Sequence, residues 1–152
     1  MLKMIIHPDP ILRQKSHNVT DPSDSKIKKL IPQMMATMKE ENGVGLAAPQ
    51  VGENIRMFVV NHKEKEMVFI NPVIVKKSLI KEWGEEGCLS IPGKFGEVKR
   101  SKRVAVEYLN EGGVKQSLKA HGLLSRIIQH EIDHLDGILF IDKCKNLSDI
   151  SY

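Results

Sequence analysis

The sequence predicts an α+β fold: mostly antiparallel short strands packed around a C-terminal metal-binding helix, with a second helix near the N-terminus. Three observations predict it. Apolar residues recur at helical spacing in two places, residues 27–38 and 123–135. Between them the period drops to two over several short runs. Those runs follow one another without helices between them, which argues against an alternating parallel sheet.

The opening residues, Met1 to Pro8, hold too short an apolar stretch for a signal peptide, and Pro8 and Pro10 break the segment. A cap-rich stretch over residues 20–25 precedes Ile27, Leu30, Ile31, Met34, Met35 and Met38, which share one helical face. Asn42-Gly43 supplies the C-terminal stop. Pro32 should kink this helix or mark a later start. The methionines read as core filler. Residues 55–60, 67–75, 78–83, 103–109 and 114–121 read as strands. Turns are expected at 61–65 and at Asn110-Glu111-Gly112-Gly113. The final helix spans 122–137.

At 152 residues the chain is expected to form a single domain over 1–152, large enough for a core without staples. Charged residues at 28% and hydrophobic ones at 41% describe an ordinary globular protein. No apolar run reaches membrane-spanning length, so a cytoplasmic location and no membrane partner are expected. Two cysteines, Cys88 and Cys144, fit a reducing compartment. The net charge of +4 comes partly from clusters at 26–29 and 99–103, which read as solvated faces. Aromatic residues make up 5% and do not interleave with basic ones, so no specific nucleic-acid partner is expected.

The chemistry concentrates in His130-Glu131-Ile132-Asp133-His134. Residues four apart on a helix share a face, so His130 and His134 can hold one metal ion while Glu131 reaches a water bound to it. At about 100° per residue, Leu123, Leu124, Ile127, Ile128, Ile132 and Leu135 form one arc. Ser125, Arg126, Gln129, Asp133 and Asp136 form the opposite one. Glu131 falls within the apolar arc. A carboxylate facing a core must be neutral or held by a partner.

A catalytic metal of this kind takes three protein ligands and keeps one position open. A third His six residues beyond the second is excluded, because Phe140 stands there. No Glu follows His134 either. His7, His62, His121, Cys88 and Cys144 remain. Cys88 lies in Glu85-Glu86-Gly87-Cys88-Leu89-Ser90, read as a loop between strands. Its thiolate suits zinc or ferrous iron, yet a small buried hydrophobe fits it equally well. In Gly43-Val44-Gly45-Leu46-Ala47-Ala48-Pro49-Gln50, small residues allow close backbone approach and Gln50 offers an amide donor. A tight turn would account for that stretch as well.

Residues 43–50, 86–90 and 129–135, in that order, resemble the motifs of the peptide deformylases. Pro8-Asp9-Pro10-Ile11-Leu12-Arg13 also looks like that family's start, so the likeness covers about residues 5–142. The resemblance implies a metal hydrolase that removes the formyl group from formyl-methionyl nascent chains, releasing formate. It implies Cys88, His130 and His134 as ligands to ferrous iron, with zinc, nickel or cobalt able to substitute. It further implies Glu131 as general base and acid, and Gln50 and the Leu89 N–H as donors to the oxyanion. Substrate contacts fall to Val44, Gly45, Leu123 and Ile127; Glu86 and Arg100 support the ligands. The tail after Ile141 is short and weakly patterned, without the basic helix that many bacterial relatives use for ribosome docking.

Overall fold

The computed structural model describes residues 1–149. The elements run α1 (Ser25–Glu40), β1 (Gly45–Ala47), β2 (Met57–His62), β3 (Lys65–Lys77), β4 (Lys81–Cys88), β5 (Ile91–Ser101), β6 (Arg103–Leu109), β7 (Lys115–His121), α2 (Gly122–Leu135) and β8 (Lys145–Asp149). Every strand pairing is antiparallel, in a five-stranded sheet ordered β1-β2-β3-β6-β7 and a three-stranded sheet ordered β4-β5-β8. The expected α+β class is the one observed.

Helix α1 starts where its caps dictate. The Asp24 carboxylate accepts from the Lys26 N–H. The helix ends in a Schellman motif: Gly43 N–H bonds to Met38 O, Asn42 N–H bonds to Lys39 O, and Asn42 has φ 57°. Pro32 neither delays the start nor ends the helix. It lies on the exposed face, and so does Lys28, whose carbonyl it leaves without a donor; water can satisfy that carbonyl.

The large sheet is covered on both faces, and strand periodicity distributes its side chains. Met57 and Val59 join the cluster under α1, with Met34, Met38, Leu46 and Ile70. Phe58 and Val60 join the cluster under α2, with Phe69, Val106, Ile128 and Leu135. The Phe58 and Phe69 rings stack at 4.6 Å. A third cluster, with Leu12, Ile91, Val98, Leu139 and Phe140, lies against the smaller sheet.

Several local expectations need correction. The run read as a strand over 78–83 is a turn at Ser78–Ile80 followed by β4, which continues to Cys88; Cys88 therefore ends a strand. Strand β5 was hidden by Pro92, Gly93 and Gly96, and pairs along β4 despite them. The weakly patterned tail contains β8, which is wholly exposed and takes its backbone bonds from β5. Its last three residues, 150–152, lie outside the described part. The turn expected at 61–65 is a two-residue reversal at Lys63 and Glu64, both with positive φ. No helix among the described residues is long and apolar enough to cross a membrane.

Candidate metal centre

Helix α2 carries His130, Glu131 and His134 onto the large sheet beside β1. The face read as polar is not solvated throughout. Ser125 is 0% and Gln129 6% exposed, because both bond to the backbone of Ser101: each donates to Ser101 O, and Gln129 Oε1 accepts from Ser101 N–H. These bonds tie α2 to the end of β5, fixing the helix against the strand pair that brings Cys88.

Cys88 is aimed by an irregularity in that pair. Gly87 opposes Phe95 while Cys88 opposes Ile91, so β5 carries three extra residues between those pairings. Gly93 sits in the excursion with φ 76°. A Cβ at Gly87 would stand 2.7 Å from the Phe95 ring, so the residue before the cysteine must be small.

The donors of Cys88, His130 and His134 lie within 4.8 Å of one another. Cys88 Sγ is 3.3 Å from His134 Nε2. Sulfur and imidazole nitrogen around a tetrahedral zinc stand roughly 3.5 Å apart. One thiolate and two imidazoles are a donor set suited to zinc or ferrous iron. Among the described residues His7, His62, His121 and Cys144 join no such group.

Behind these three side chains lies an ionic lattice. His130 Nδ1 is 2.8 Å from Glu86 Oε1. Arg100 donates to both Glu86 oxygens at 2.9 Å and reaches Asp133 as well. Arg126, which the sequence reading placed only on a polar arc, donates to Glu86 Oε2 at 2.7 Å and to the carbonyls of Val98 and Glu82. The signal for it was Gly84: a Cβ there would stand 2.7 Å from the Arg126 guanidinium carbon. Burial disfavours the Glu86 charge, yet the bonds from His130 and Arg100 hold its carboxyl well below the usual range.

Burial also opposes a charge on His130, but hydrogen bonding to Cys88 and Glu86 overrides it and raises its pKa to about 10. His134 is kept neutral by burial and by the neighbouring His130 charge.

Glu131 is 4% exposed, and its Oε2 is buried without a hydrogen-bond partner. Burial pushes its pKa up to about 7, partly offset by the His130 charge. Its place in the apolar arc is as expected. The unsatisfied oxygen, together with the convergent donors, fits a centre that takes a cation and its water.

The glycine motif serves both readings left open for it. Residues 45–47 form β1 and residues 48–51 a 3-10 turn. Gly43 and Gly45 are small because Leu89 and Glu131 fill the space their Cβ atoms would need, at 2.8 and 2.9 Å. Gln50 Oε1 accepts from Ala47 N–H, and Nε2 donates to Ser90 Oγ at 3.1 Å, with Cys88 Sγ at 3.5 Å. The N-terminal segment joins the two loops: Ile5 N–H bonds to Gln50 O and His7 N–H to Ser90 O. Val44 and Leu123 are 51% and 58% exposed, whereas Ile127, at 5%, belongs to the core.

Fold and geometry describe a class: an α+β domain in which a strand cysteine and two histidines of one helix converge as a candidate metal site. Comparison narrows it, for the polypeptide deformylase family profile matches residues 1–149. The chain belongs to the peptide deformylase family, hydrolases that remove the formyl group from the N-terminus of nascent polypeptides. It is 48% identical over 149 residues to a peptide deformylase of Mesorhizobium japonicum, covering 95% of this chain and 84% of that one. Against the Desulfitobacterium hafniense enzyme identity is 49% over 138 residues, covering 91% of each. The Thermotoga maritima crystal structure superposes with a TM-score of 0.93 at 42% identity, over 95% of this chain and 98% of that one. The Synechococcus elongatus enzyme, solved with actinonin, gives 0.92 at 43%, over 95% and 79%.

Proposed function

We propose that residues 1–152 act as one catalytic unit that deformylates formyl-methionyl peptides with water as nucleophile, and that Cys88, His130 and His134 hold the metal. The observation that carries this is the buried Glu131 carboxylate, its Oε2 without a hydrogen-bond partner, beside three converging donors. Ferrous iron is the proposed native ion, with zinc, nickel or cobalt able to take the same ligands. When bound, the ion supplies Lewis acidity, lowering a water's pKa and polarising a carbonyl.

The chain's own groups do the rest. Glu131, a buried carboxylate with an oxygen free of hydrogen bonds, takes the proton of the attacking water and returns it to the departing amine nitrogen. Gln50 Nε2, fixed by Ala47 and Ser90, and the backbone N–H of Leu89 donate to the formyl oxygen as it gains charge. Each such donor contributes about 3–4 kcal/mol. Glu86, held by Arg100 and Arg126, fixes the ring of His130 through Nδ1, which would leave Nε2 to hold the metal. The peptide adds as a strand along β1, against Val44 and Gly45, with its methionine side chain near Val44, Leu123 and Ile127.

The test is formate release from a formyl-Met peptide under anaerobic conditions, comparing iron and zinc forms. Release that a chelator stops is expected. An iron-loaded enzyme that leaves the peptide intact overturns the reading, and cleavage of unformylated internal bonds would make the chain an endopeptidase instead.

A further inference from the structure

The side of α2 turned away from the metal ligands borders a second concave surface, a cleft of about 830 Å³ unused by the chemistry above. Gln129, Ile132, Asp133 and Asp136 form its α2 wall. Its lining holds seven Lys or Arg against two Asp, an excess of five positive charges, whereas the entire chain carries a net +4. The excess of positive over negative charge in this cleft thus exceeds that of the whole chain, although most of the 23 Lys and Arg lie elsewhere.

Its arginines are already engaged. Arg56 pairs with Asp136, and Arg100 with Glu86 and Asp133, where Lys143 also binds. Lys15, Lys77, Lys81 and Lys99 remain, all exposed and without an ion-pair partner among the described residues. They come from separate segments: the N-terminal stretch, both sides of the β3–β4 turn, and β5. Trp83 opposes Lys99 and Ser101 opposes Lys81, so Lys81 and Lys99 share one sheet face. Ser16, in the same lining and 5% exposed, has a hydroxyl without a partner.

We propose that this cleft binds the phosphodiester backbone of RNA. Four compact point charges from separate segments suit repeated phosphates better than one focal anion. No Phe, Tyr or Trp lines the cleft, so bases are not stacked and the binding is indifferent to sequence. A concave wall also suits the rounded surface of a duplex rather than a flat lipid surface. Because the cleft and the metal ligands occupy different sides of α2, a docked RNA leaves the peptide site open.

The experiment uses the full chain and a fluorescent 20-base-pair RNA duplex of mixed sequence, with anisotropy read at several salt concentrations. Neutralising about four phosphates gives a log-log salt slope of roughly −3 to −4, so affinity should fall about 100-fold between 50 and 200 mM salt. The combined K15Q/K77Q/K81Q/K99Q variant should bind at least about 10-fold more weakly and show a shallower slope. A control neutralising Lys29, Lys63, Lys119 and Lys28, away from the cleft, should retain most of the affinity. Formate release from a short formyl-Met peptide should be the same in all three proteins, reporting an intact fold. Equal losses in both variants, or no binding by the parent at 50 mM salt, overturns the proposal. Vesicles of anionic phospholipid serve as a third arm, and cleft-dependent binding to them with none to RNA overturns it too.

Discussion

A Cβ on Gly45 would stand 2.9 Å from Oε1 of Glu131, so the glycine of β1 and the acid of α2 share one space that no larger residue leaves free. The carboxylate is thereby pressed toward the ligands and away from water. Gly45→Ala should displace it. Since about 1 Å of misplacement can cost ~100-fold in rate, kcat should drop by about 10- to 100-fold while bound metal, measured by elemental analysis, stays at one equivalent. Unchanged kcat would mean the carboxylate's position is not critical.

Glu131→Gln keeps the shape and removes the base. Formate release should fall by about 10³-fold or more, with the metal retained. Residual activity near that of the parent would assign proton transfer to another group.

Arg126 is linked to the proposed metal site only through Glu86 and His130. Arg126→Met removes the 2.7 Å bond to Glu86 and the bonds to the carbonyls of β4 and β5, leaving Arg100 in place. Metal affinity, followed by titration against a competing chelator, should weaken by about 10- to 100-fold, and Arg126→Lys should recover part of it. Affinity equal to the parent's would reduce Arg126 to a strand tether.

Metal removal should loosen the fold, because the three ligands join β4 to α2. With free metal at about 100 times its Kd, binding stabilises by ~2.7 kcal/mol, which for a chain of this size corresponds to a melting point roughly 5–10 °C higher. Melting curves with and without chelator measure this directly. Coincident curves would be inconsistent with a metal held by both elements.

The partly exposed pair of Arg13 and Asp142 joins the N-terminal turn to the segment after α2. The bond from Arg13 lowers the Asp142 pKa beneath its ordinary 3.8. A depressed carboxyl pKa stabilises the fold above the unfolded value, and that contribution disappears as pH falls through the folded value. Solvent screening keeps it under about 1 kcal/mol. Asp142→Asn should therefore lower stability slightly at pH 7, and the difference should shrink below about pH 3.8 and vanish beneath the depressed folded value, as read by urea unfolding at each pH.

Legibility differed by element for physical reasons. Helix α2 and the facing of Glu131 were readable because helical periodicity fixes side-chain direction from spacing alone. The same wheel misjudged Ser125 and Gln129, since their burial depends on the Ser101 backbone, 24 and 28 residues away in the chain. Strand β5 was missed because its glycines and proline lower local propensity, while long-range pairing with β4 supplies the bonds. Cys88 could be short-listed among possible ligands, but an isolated thiol does not reveal its surroundings. Arg126 looked like an ordinary surface cation; carbonyl and carboxylate acceptors from β4 and β5 make it otherwise.

By itself, then, the sequence determined the class of fold, the helix that bears two imidazoles and an acid, and the family. Only the tertiary structure decided which side chain converges with the two imidazoles, which residues pack and bond around them, and which basic residues share a cleft. The reason is range: helical and strand periods are encoded in neighbouring residues, whereas the meeting of Cys88 with His134, or of four lysines in one cleft, depends on how sheets pack and where a strand bulges.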